Sequence, residues 1–212
     1  GAADVLGATP MDRPEDIEVS SMTGKVYVCL TNNSRREEPN EANPRVNNQH
    51  GHVIEIVEDG NDAGALTFTW NILIKCGDPA QDHDARFGTI EDPVLAGCSP
   101  ISDPDNCVHD DIGNLWISTD GQFFSGSDGF GQNDGVFATP VEGPDRGLLR
   151  QFLSGVPGGE VCGPEFSSDG KTFFCAIQHP NDGEAFEKIW PIGQTDVSKP
   201  SLIGVQQQNN LK

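Results

Sequence analysis

Short runs of alternating apolar and polar residues, separated by turn residues, cover most of this chain. Three segments follow one plan, in which an extended start leads through a tight, glycine-containing turn into an apolar strand. The turn and strand of these segments lie at residues 23–28, 112–117 and 169–174. Alternation with a period of two predicts half-buried β-strands, and no window keeps the spacing of an amphipathic helix for three turns. The pattern therefore predicts an all-β protein.

The chain divides into three repeated units on this pattern. The first has predicted strands at 16–20, 25–31, 52–57 and 66–74, with a polar loop at 32–49 and an irregular acidic loop following at 76–102. The second has predicted strands at 106–109, 114–118, 135–139 and 148–153, with a Gly/Asp/Asn-rich insert at 121–134. The third has strands at 165–167 and 172–178, and its remaining strands have candidates at 188–192 and 202–205.

Repeated units of four short strands are the sequence signature of β-propeller blades. We predict a single domain over 1–212 with about three four-stranded blades, at roughly 13–75, 103–155 and 160–205. Closed propellers have about 4–8 blades, so three blades form only part of a ring, and further blades are expected outside this chain. The alternative fold is a β-sandwich, which closes without further strands.

Charge narrows the range of partners. The formal net charge is −20, from 33 acidic and 13 basic residues. Because nucleic acid is bound by basic surfaces, we predict no nucleic-acid partner. The charge fits divalent cation binding, and it also fits a secreted protein that a solvated acidic surface keeps soluble. No apolar run reaches the length of a membrane span, so no transmembrane segment is predicted.

The six cysteines indicate buried strand positions more than reactivity. Their spacing excludes C-x-x-C metal and redox motifs. Cys29 and Cys175 each follow the turn glycine of their unit by five residues, which predicts small buried positions in a strand. Cys98 and Cys107 flank a proline-containing loop, and the sequence leaves open whether they form a disulfide or remain thiols.

Carboxylates recur where the units begin. Glu15, Asp105 and Glu160, with Asn106 beside Asp105, stand near the first strand of each unit. In a propeller the inner strands surround one axis, so these groups would form a ring of oxygen ligands that repel one another unless a cation lies among them. Hard cations such as Ca²⁺ or Fe³⁺ suit ligation by oxygen alone. Taken singly, Asp105 and Asn106 also suit a turn or strand cap, and Glu15 suits a solvated strand end.

Arg13 adds a positive charge to this arrangement. Residues two apart on an extended segment point the same way, so its guanidinium is predicted to share a pocket with Glu15. A planar cation beside a metal site suits bidentate recognition of phosphate. The alternative is a salt bridge from Arg13 to Asp16 or Glu18. The chain has no Gly-x-Ser-x-Gly elbow, which disfavours a serine hydrolase mechanism.

Several sequence motifs occur in a fixed order between residues 7 and 180. They are Arg-Pro-Glu-Asp-Ile-Glu at 13–18, Gly-Lys-Val-Tyr-Val at 24–28, Thr-Asn-Asn at 31–33, Pro-Asp-Asn at 104–106, Gly-Asn-Leu-Trp-Ile-Ser-Thr-Asp-Gly at 113–121, Glu-Val-Cys-Gly-Pro at 160–164 and Gln-His-Pro at 178–180. Together they resemble the PhoX family of alkaline phosphatases. The resemblance implies a β-propeller phosphomonoesterase that is exported from the cytoplasm, carries an iron and calcium cluster, and has this chain as its C-terminal half.

The resemblance also implies roles for individual residues. Arg13 is the candidate substrate-phosphate contact, and Glu15 is the candidate ligand of the metal cluster; both are implied to be catalytic. The other implied metal ligands are Asp105, Glu160, Asn106 and Asp16. The histidine of the Gln-His-Pro motif has no assigned role, and the chain then reads Asn-Asp-Gly-Glu at 181–184 where the family continues Gly-Glu. The iron-ligating cysteine of the family belongs to its N-terminal half.

These observations predict metal-dependent hydrolysis of phosphate monoesters with Fe³⁺ and Ca²⁺ as cofactors. The predicted partners are the substrate and the missing N-terminal half of the propeller, and the predicted location is secreted or periplasmic. The alternative function is a non-catalytic extracellular β-propeller that binds calcium and a protein partner, without iron or turnover. A propeller lactonase or esterase with a single calcium ion is a further alternative.

Overall fold

The structure is a computed structural model that describes residues 1–121, 132–180, 190–191 and 198–206. These residues form twelve strands and two short α-helices. The strands are β1 (Pro14–Val19), β2 (Val26–Leu30), β3 (His52–Glu58), β4 (Phe68–Lys75), β5 (Arg86–Phe87), β6 (Pro104–His109), β7 (Asn114–Thr119), β8 (Gly135–Pro140), β9 (Arg150–Ser154), β10 (Glu160–Phe166), β11 (Thr172–Gln178) and β12 (Ser201–Gln206). The helices are α1 (Ala2–Leu6) and α2 (Pro93–Ala96), and neither helix within the described ranges could cross a membrane.

Three antiparallel sheets contain these strands, in the orders β1-β2-β3-β4-β5, β6-β7-β8-β9 and β10-β11-β12. The all-β prediction is confirmed, and each predicted unit corresponds to one sheet. The first sheet has an additional strand, β5, which lies in the segment 76–102 that was predicted as loop. Because β5 is only two residues long, it has no run of alternating residues from which a strand could be recognised.

The third sheet departs most from the prediction. The candidate strand at 202–205 is β12, which pairs directly with β11 and is therefore the third strand of its sheet and not the fourth. The candidate at 188–192 lies outside the described residues except for Trp190 and Pro191, which are not in a strand. Most of the 121–134 insert and the 181–184 segment also lie outside the described residues. A four-stranded third unit is therefore not seen in the described part of the chain.

The first two strands of every sheet form a tight hairpin. Gly24, Gly113 and Gly170 occupy these turns with φ of +74°, +94° and +67°, in the left-handed region where a side chain would be strained. The hairpin is closed by a backbone hydrogen bond, as from the N–H of Asp110 to the carbonyl of Asn114 at 3.1 Å. The three turns predicted from the sequence are confirmed.

The first strand of each sheet carries one extra residue relative to its partner. These β-bulges fall between Pro14 and Asp16, between Pro104 and Cys107, and between Cys162 and Glu165. A bulge bends the strand and re-aims nearby side chains, and bulges are common beside functional sites. On the second strand of each hairpin, the residues opposite the bulge are Cys29, Ser118 and Cys175, each five residues after the turn glycine, so the local geometry is repeated along the chain.

Two apolar clusters fill the spaces between neighbouring sheets. The first draws on the first and second sheets and includes the fully buried side chains of Tyr27, Leu73, Leu115 and Phe137. The second cluster draws on the second and third sheets and consists of Val136, Val161, Phe173, Cys175 and Ile177. Burial of these side chains, at about 25 cal/mol per Å² of apolar surface, is the main force that holds the sheets face to face.

The ring of Trp116 reinforces the contact between the second and third sheets. It lies 4.9 Å from the ring centre of Phe152, 5.1 Å from that of Phe166 and 5.2 Å from that of Phe173. The rings of Phe152 and Phe166 meet it edge to face, an arrangement favoured by the quadrupoles of aromatic rings. This group therefore fixes the angle between the two sheets at the end that carries the hairpin turns.

One face of the first sheet is only partly covered by the described residues. It bears a groove of about 790 Å³ whose apolar lining includes Ile17, Ile56, Phe68 and Trp70. Ile17 is 63% exposed and Phe68 is 55% exposed. Exposed apolar patches of this extent usually mark a contact surface.

All six cysteines are free thiols. Cys98 and Cys107 do not form a disulfide, so that alternative is wrong for this structure; the thiol of Cys98 faces the carbonyl of Gly147 at 3.9 Å. The buried positions predicted for Cys29 and Cys175 are confirmed, since both are fully buried. Burial raises the pKa of the Cys175 thiol to about 11, so this cysteine is a packing residue and not a nucleophile.

Candidate functional site

The backbone at the start of the first sheet holds Arg13 in an unusual conformation. Arg13 has φ of +50° although it is neither glycine nor followed by a flexible residue, since Pro14 comes next. Its carbonyl accepts a hydrogen bond from the N–H of Thr31 at 3.1 Å, which extends the pairing of β1 and β2 by one step. A left-handed residue costs about 1–3 kcal/mol and persists only where its surroundings impose it, often at functional sites.

The side chains of Arg13 and Glu15 lie together at this edge. The guanidinium Nη1 donates to Oδ1 of Asn32 at 3.0 Å, and Nη2 lies 3.8 Å from Oε1 of Glu15. The spacing prediction for this pair is therefore confirmed. The alternative salt bridge from Arg13 to Asp16 or Glu18 is not found among the described residues. With 55% of the Arg13 side chain exposed, its remaining donors are available to an anion.

The second sheet begins with the same backbone and different side chains. Asp103 has φ of +54° and precedes Pro104, as Arg13 precedes the proline of the first sheet. Asp103 and Asp105 are only 1% and 7% exposed. The Asp103 carboxylate accepts hydrogen bonds from Nδ2 of Asn32 and from Oγ of Ser102, each at 2.5 Å. The start of the second sheet is thus a buried acidic position.

Burial raises the pKa of Asp103 to about 8. The hydrogen bonds from Ser102 and Asn32 lower this pKa, and the nearby charges of Asp134 and Asp120 raise it again. Desolvation disfavours the ionised form of a carboxyl group, and like charges add to that effect. The electrostatic surroundings of Asp103 are therefore unfavourable to further negative charge.

Asp105 is the centre of a group of four carboxylates from three sheets. Burial raises its pKa to about 7, and the charges of Glu160, Asp120 and Glu15 raise it further, in that order. Burial is also the main cause of the raised pKa of Glu160, whose carboxylate accepts from the side chain of Gln178. The negative charges of Glu160, Asp120 and Glu15 thus add to burial at Asp105, and a cation among these carboxylates would relieve their repulsion.

Arg13 and His179 border this carboxylate group. Burial raises the pKa of Asp120, and the charges of Arg13 and His179 lower it. His179 also lowers the pKa of Glu160. His179 is exposed and has φ of +49°, so its backbone matches the left-handed conformation of Arg13. The histidine that the sequence left without a role thus lies at the same site.

The three predicted carboxylates do not occupy equivalent positions in their sheets. Pro14 pairs with Leu30 and Pro104 with Thr119, which places Glu15 and Asp105 at the same step after the proline. In the third sheet that step is held by Gly163, and Glu160 lies three residues earlier, opposite Gln178. The structure therefore corrects the predicted threefold equivalence, although Glu160 still reaches the neighbourhood of Asp105 because β10 begins earlier than predicted.

Asp16 and Asn106 connect each sheet to the next. Oδ2 of Asp16 accepts a hydrogen bond from the backbone N–H of Cys107 at 2.8 Å, and Oδ1 of Asn106 accepts one from the N–H of Gly163 at 2.9 Å. Both side chains directly follow the bulge residue of their strand. These inter-sheet contacts give Asp16 and Asn106 a structural part, and their assignment as metal ligands stays a prediction.

A buried network that the sequence did not predict fixes the segment before Arg13. Asp12 is fully buried, and its Oδ1 accepts from Nε of Arg36 at 2.5 Å and from Nδ2 of Asn33 at 2.9 Å. Its Oδ2 accepts from Nδ2 of Asn48 at 3.0 Å. The polar loop at 32–49 therefore folds back over Asp12, and this contact holds the residue next to Arg13 in place.

Three residues of the site had no role in the prediction. Asn32 and Asp120 lie just beyond β2 and β7, and Asp103 lies just before β6, so all three belong to connections and not to strands. The sequence offered one signal, since Asn32 and Asp120 fall within the Thr-Asn-Asn and Ser-Thr-Asp-Gly motifs. Their proximity to Arg13 depends on the packing of two sheets, which no local pattern encodes.

The side chains of this site include several oxygen donors of the kind that bind metal ions. Glu15, Asp105, Asp120 and Glu160 offer hard oxygen donors that suit Ca²⁺ or Fe³⁺. Among the described residues, however, no group of three or more His, Cys, Asp or Glu side chains is arranged to hold a metal ion. The chemistry of the donors thus fits a cation, while a complete ligand set is not present in the described part of this chain.

Fold and site together define an all-β protein in which carboxylates and an arginine meet where strands of three sheets begin. The family model described as alkaline phosphatase PhoX matches residues 1–181. The chain belongs to the PhoX family. Among curated protein sequences, none matches it.

The fold is similar to that of a solved structure described as Pseudomonas fluorescens PhoX in complex with vanadate, a transition state analogue. The TM-score is 0.79 and the sequence identity is 33%. The match covers 97% of this chain and 35% of that one, so this chain spans about a third of the length of that protein.

Proposed function

We propose that this chain contributes to a metal-dependent phosphomonoesterase, an alkaline phosphatase that hydrolyses phosphate monoesters and releases inorganic phosphate. One observation carries the proposal: an exposed arginine, Arg13, stands 3.8 Å from Glu15, one of the carboxylates whose charges add to burial in raising the pKa of Asp105. Such a site favours cations within it and an anion against the arginine. Membership of the PhoX family, and the vanadate complex of the Pseudomonas fluorescens protein, support a phosphoryl group as that anion.

In this proposal Arg13 binds the substrate. Its guanidinium donates to the phosphoryl oxygens and neutralises the charge on the transferring group. Glu15 takes part in catalysis beside it and keeps the guanidinium directed toward the site by their ion pair. Arg13 cannot lose its proton, so the contact is available across the alkaline range.

The proposed cofactors are Fe³⁺ and Ca²⁺. When bound, such ions polarise phosphoryl oxygens and stabilise the attacking and leaving oxygens. Glu15, Asp105 and Glu160 are the proposed ligands from this chain, with Asn106 and Asp16 as further ones. Since the described residues hold no complete ligand set, the remaining ligands are proposed to come from the rest of the protein.

The proposed architecture is a β-propeller of which the three sheets are blades. Neighbouring sheets pack face to face through apolar clusters, as blades do. The exposed apolar groove of the first sheet, with Ile17 and Phe68 at its surface, is the proposed contact for the preceding blade in the N-terminal half. This half is then the partner that buries the groove and completes the site.

A secreted or periplasmic location is proposed on the basis of the family resemblance and the acidity of the chain. A net charge of −20 suits a surface exposed to a saline exterior. Fractionation of cells that produce the full-length protein, followed by detection of the protein and of phosphatase activity in each fraction, tests this proposal. Recovery in the cytoplasm alone would contradict it.

The test of the function uses the full-length protein, with hydrolysis of p-nitrophenyl phosphate and elemental analysis on one sample. We expect iron, calcium and turnover together. Arg13→Ala should lower kcat/KM by about 10²- to 10³-fold while the metal content stays the same, because the arginine contacts phosphate and not metal.

The matched control is Arg150→Ala, which removes the same charge from β9, the outer strand of the second sheet. This variant should keep the wild-type rate. An unchanged rate for Arg13→Ala would remove Arg13 from the site. Calcium without iron, and no hydrolysis by the wild-type protein, would favour the non-catalytic binding module.

A further inference from the structure

The shortest contact that the described residues make with the Arg13 guanidinium is to Asn32. Its hydrogen bond to Oδ1 of Asn32 is 3.0 Å long, whereas the carboxylate of Glu15 lies 3.8 Å away. A half-exposed arginine has several rotatable bonds and loses rotamer freedom when it is held in one conformation. Asn32 therefore has the stronger part in fixing where the guanidinium points.

The orientation of Asn32 is in turn set by its two neighbours. An arginine side chain can only donate hydrogen bonds, so the amide oxygen of Asn32 must face Arg13. The amide nitrogen then faces the other way and donates to Oδ1 of Asp103 at 2.5 Å. Reversal of the amide would place nitrogen against guanidinium and lose both contacts. Asn32 thus has one favoured orientation, and it connects the starts of the first two sheets.

Asp103 is itself held firmly. It is 1% exposed, and its second oxygen accepts from Oγ of Ser102 at 2.5 Å. The same Oγ lies 3.0 Å from Nδ1 of His50, in the loop that precedes β3. The hydrogen bonds therefore run from a rigid, buried position of the second sheet to the exposed guanidinium of the first.

We propose that Asn32 is a positioning residue for phosphate recognition, which holds the Arg13 guanidinium in place because Asp103 holds Asn32. This inference rests on the proposed function, since it requires that Arg13 contact the phosphoryl group. Asn32 itself does not touch the substrate in this account. A guanidinium that is already oriented loses less freedom when it binds the transition state, so the benefit appears in the rate more than in stability.

The experiment is a double-mutant cycle in the full-length, metal-loaded protein, with Asn32→Ala, Arg13→Ala and the combined variant. We expect Asn32→Ala to lower kcat/KM by about tenfold and to weaken inhibition by vanadate to a similar extent. In the Arg13→Ala background the same change should have almost no further effect, because the residue that Asn32 positions is gone.

A matched control distinguishes positioning from loss of structure. Asn71→Ala removes an amide that donates to the buried carboxylate of Glu55 at 3.0 Å, as Asn32 donates to that of Asp103. Asn71 pairs with the middle of β3, several residues from the edge that carries Arg13. This variant should lose some thermal stability and keep its kcat/KM.

The outcomes separate the inference from the function on which it rests. If Arg13→Ala leaves kcat/KM unchanged, the role of Arg13 is wrong and the inference fails with it. If Arg13→Ala lowers the rate and Asn32→Ala does not, the function stands and the positioning role is overturned. A full tenfold loss from Asn32→Ala in the Arg13→Ala background would also overturn it, since Asn32 would then act independently of the arginine.

Discussion

The first residues of the first and second sheets have the same backbone conformation, but their side chains differ in charge and in burial. Arg13 and Asp103 both precede a proline with left-handed φ, and Glu15 and Asp105 both sit at a one-residue bulge. In the first sheet these side chains are exposed, whereas in the second they are buried. The repeated backbone therefore sets where a side chain is placed, while the two side chains at that place differ in charge and in burial.

The two starts are also joined to each other. Asn32 donates to Asp103 and accepts from Arg13, so the buried position of one sheet supports the exposed position of the other. A third group completes the contact, since Asp16 of the first sheet accepts from the backbone of the second at Cys107. Asp103 and Arg13 thus occupy equivalent backbone positions, and the buried Asp103 contacts the exposed Arg13 through Asn32.

The largest effect is expected from exchange of the two residues that distinguish the starts. Asp103→Arg places a long cation at a position that is only 1% exposed and is closed by hydrogen bonds from Asn32 and Ser102. We expect a loss of more than about 4 kcal/mol of unfolding free energy, or failure to fold. Arg13→Asp should fold with a change below about 1 kcal/mol and lose phosphatase activity.

Chemical denaturation of both variants in the full-length protein measures this contrast. Asp103→Asn is the control for the buried position, because it keeps the size of the side chain. A fully stable Asp103→Arg variant would show that the position is open, and the distinction between the two starts would be lost.

A smaller effect is expected at Glu55. Like Asp103 it is a buried acid, but it is paired with cations, whereas no cation pairs with Asp103 among the described residues. Its carboxylate lies 3.0 Å from Nη2 of Arg146 and 3.5 Å from Nζ of Lys25, and the hydroxyl of Tyr27 donates to it at 2.9 Å. Glu55→Gln should cost about 2–3 kcal/mol of unfolding free energy at pH 7, because partly buried Arg146 loses its carboxylate partner and Lys25 keeps only Glu142. Thermal and chemical denaturation of the full-length protein measure the loss.

The same residue predicts a pH dependence of stability. Burial alone raises the pKa of Glu55, but the hydrogen bonds from Asn71 and Tyr27, with the charges of Arg146 and Lys25, bring it below the usual 4.5. A lowered pKa means that the carboxylate stabilises the fold above pH 4.5 and that this contribution is lost as the pH falls through the folded-state pKa.

The stability difference between wild type and Glu55→Gln should therefore shrink below pH 4.5, as denaturation curves at successive pH values would show. A difference that stays constant down to pH 3 would assign the effect of the substitution to packing and not to charge.

The smallest effects are expected where Asp16 and Asn106 join successive sheets. Asp16→Ala should cost about 2 kcal/mol, because a charge-assisted hydrogen bond to the N–H of Cys107 is lost. Asn106→Ala should cost about 1 kcal/mol, because its bond to the N–H of Gly163 is neutral. Denaturation of the metal-free protein measures both changes without a contribution from bound ions. Equal costs would indicate that the charge of Asp16 adds nothing to the contact.

Much of the fold could be predicted because its signals are local. Gly24, Gly113 and Gly170 marked the turns, and the alternation around them placed the strands of the first two sheets within a few residues. The prediction failed where the signal was short or remote, as for β5, for the start of β10, and for the pairing of β12 with β11. The sequence left the state of Cys98 and Cys107 open, since closeness in sequence says nothing about the direction of their thiols.

The site was predictable in part, for the same reason. Arg13 and Glu15 lie on one segment, and their spacing alone indicated that they would share an edge. Asp120 and Asn32 could not be assigned, because each follows a strand and meets the site only when two sheets pack together. The supposed equivalence of Glu160 failed because Gly163 holds the step that Glu15 and Asp105 hold in their sheets, and Glu160 lies three residues earlier on β10.

The sequence by itself determined the repeated hairpins, the all-β class, the acidity and the residues that carry charge at the strand starts. Turn residues and the alternation of apolar and polar residues act over a few positions, so they can be recognised without knowledge of the fold. Only the tertiary structure decided that Arg13 is exposed and Asp103 buried, and that Asn32 connects them. Burial depends on what packs above a residue, and those neighbours come from another sheet many residues away along the chain.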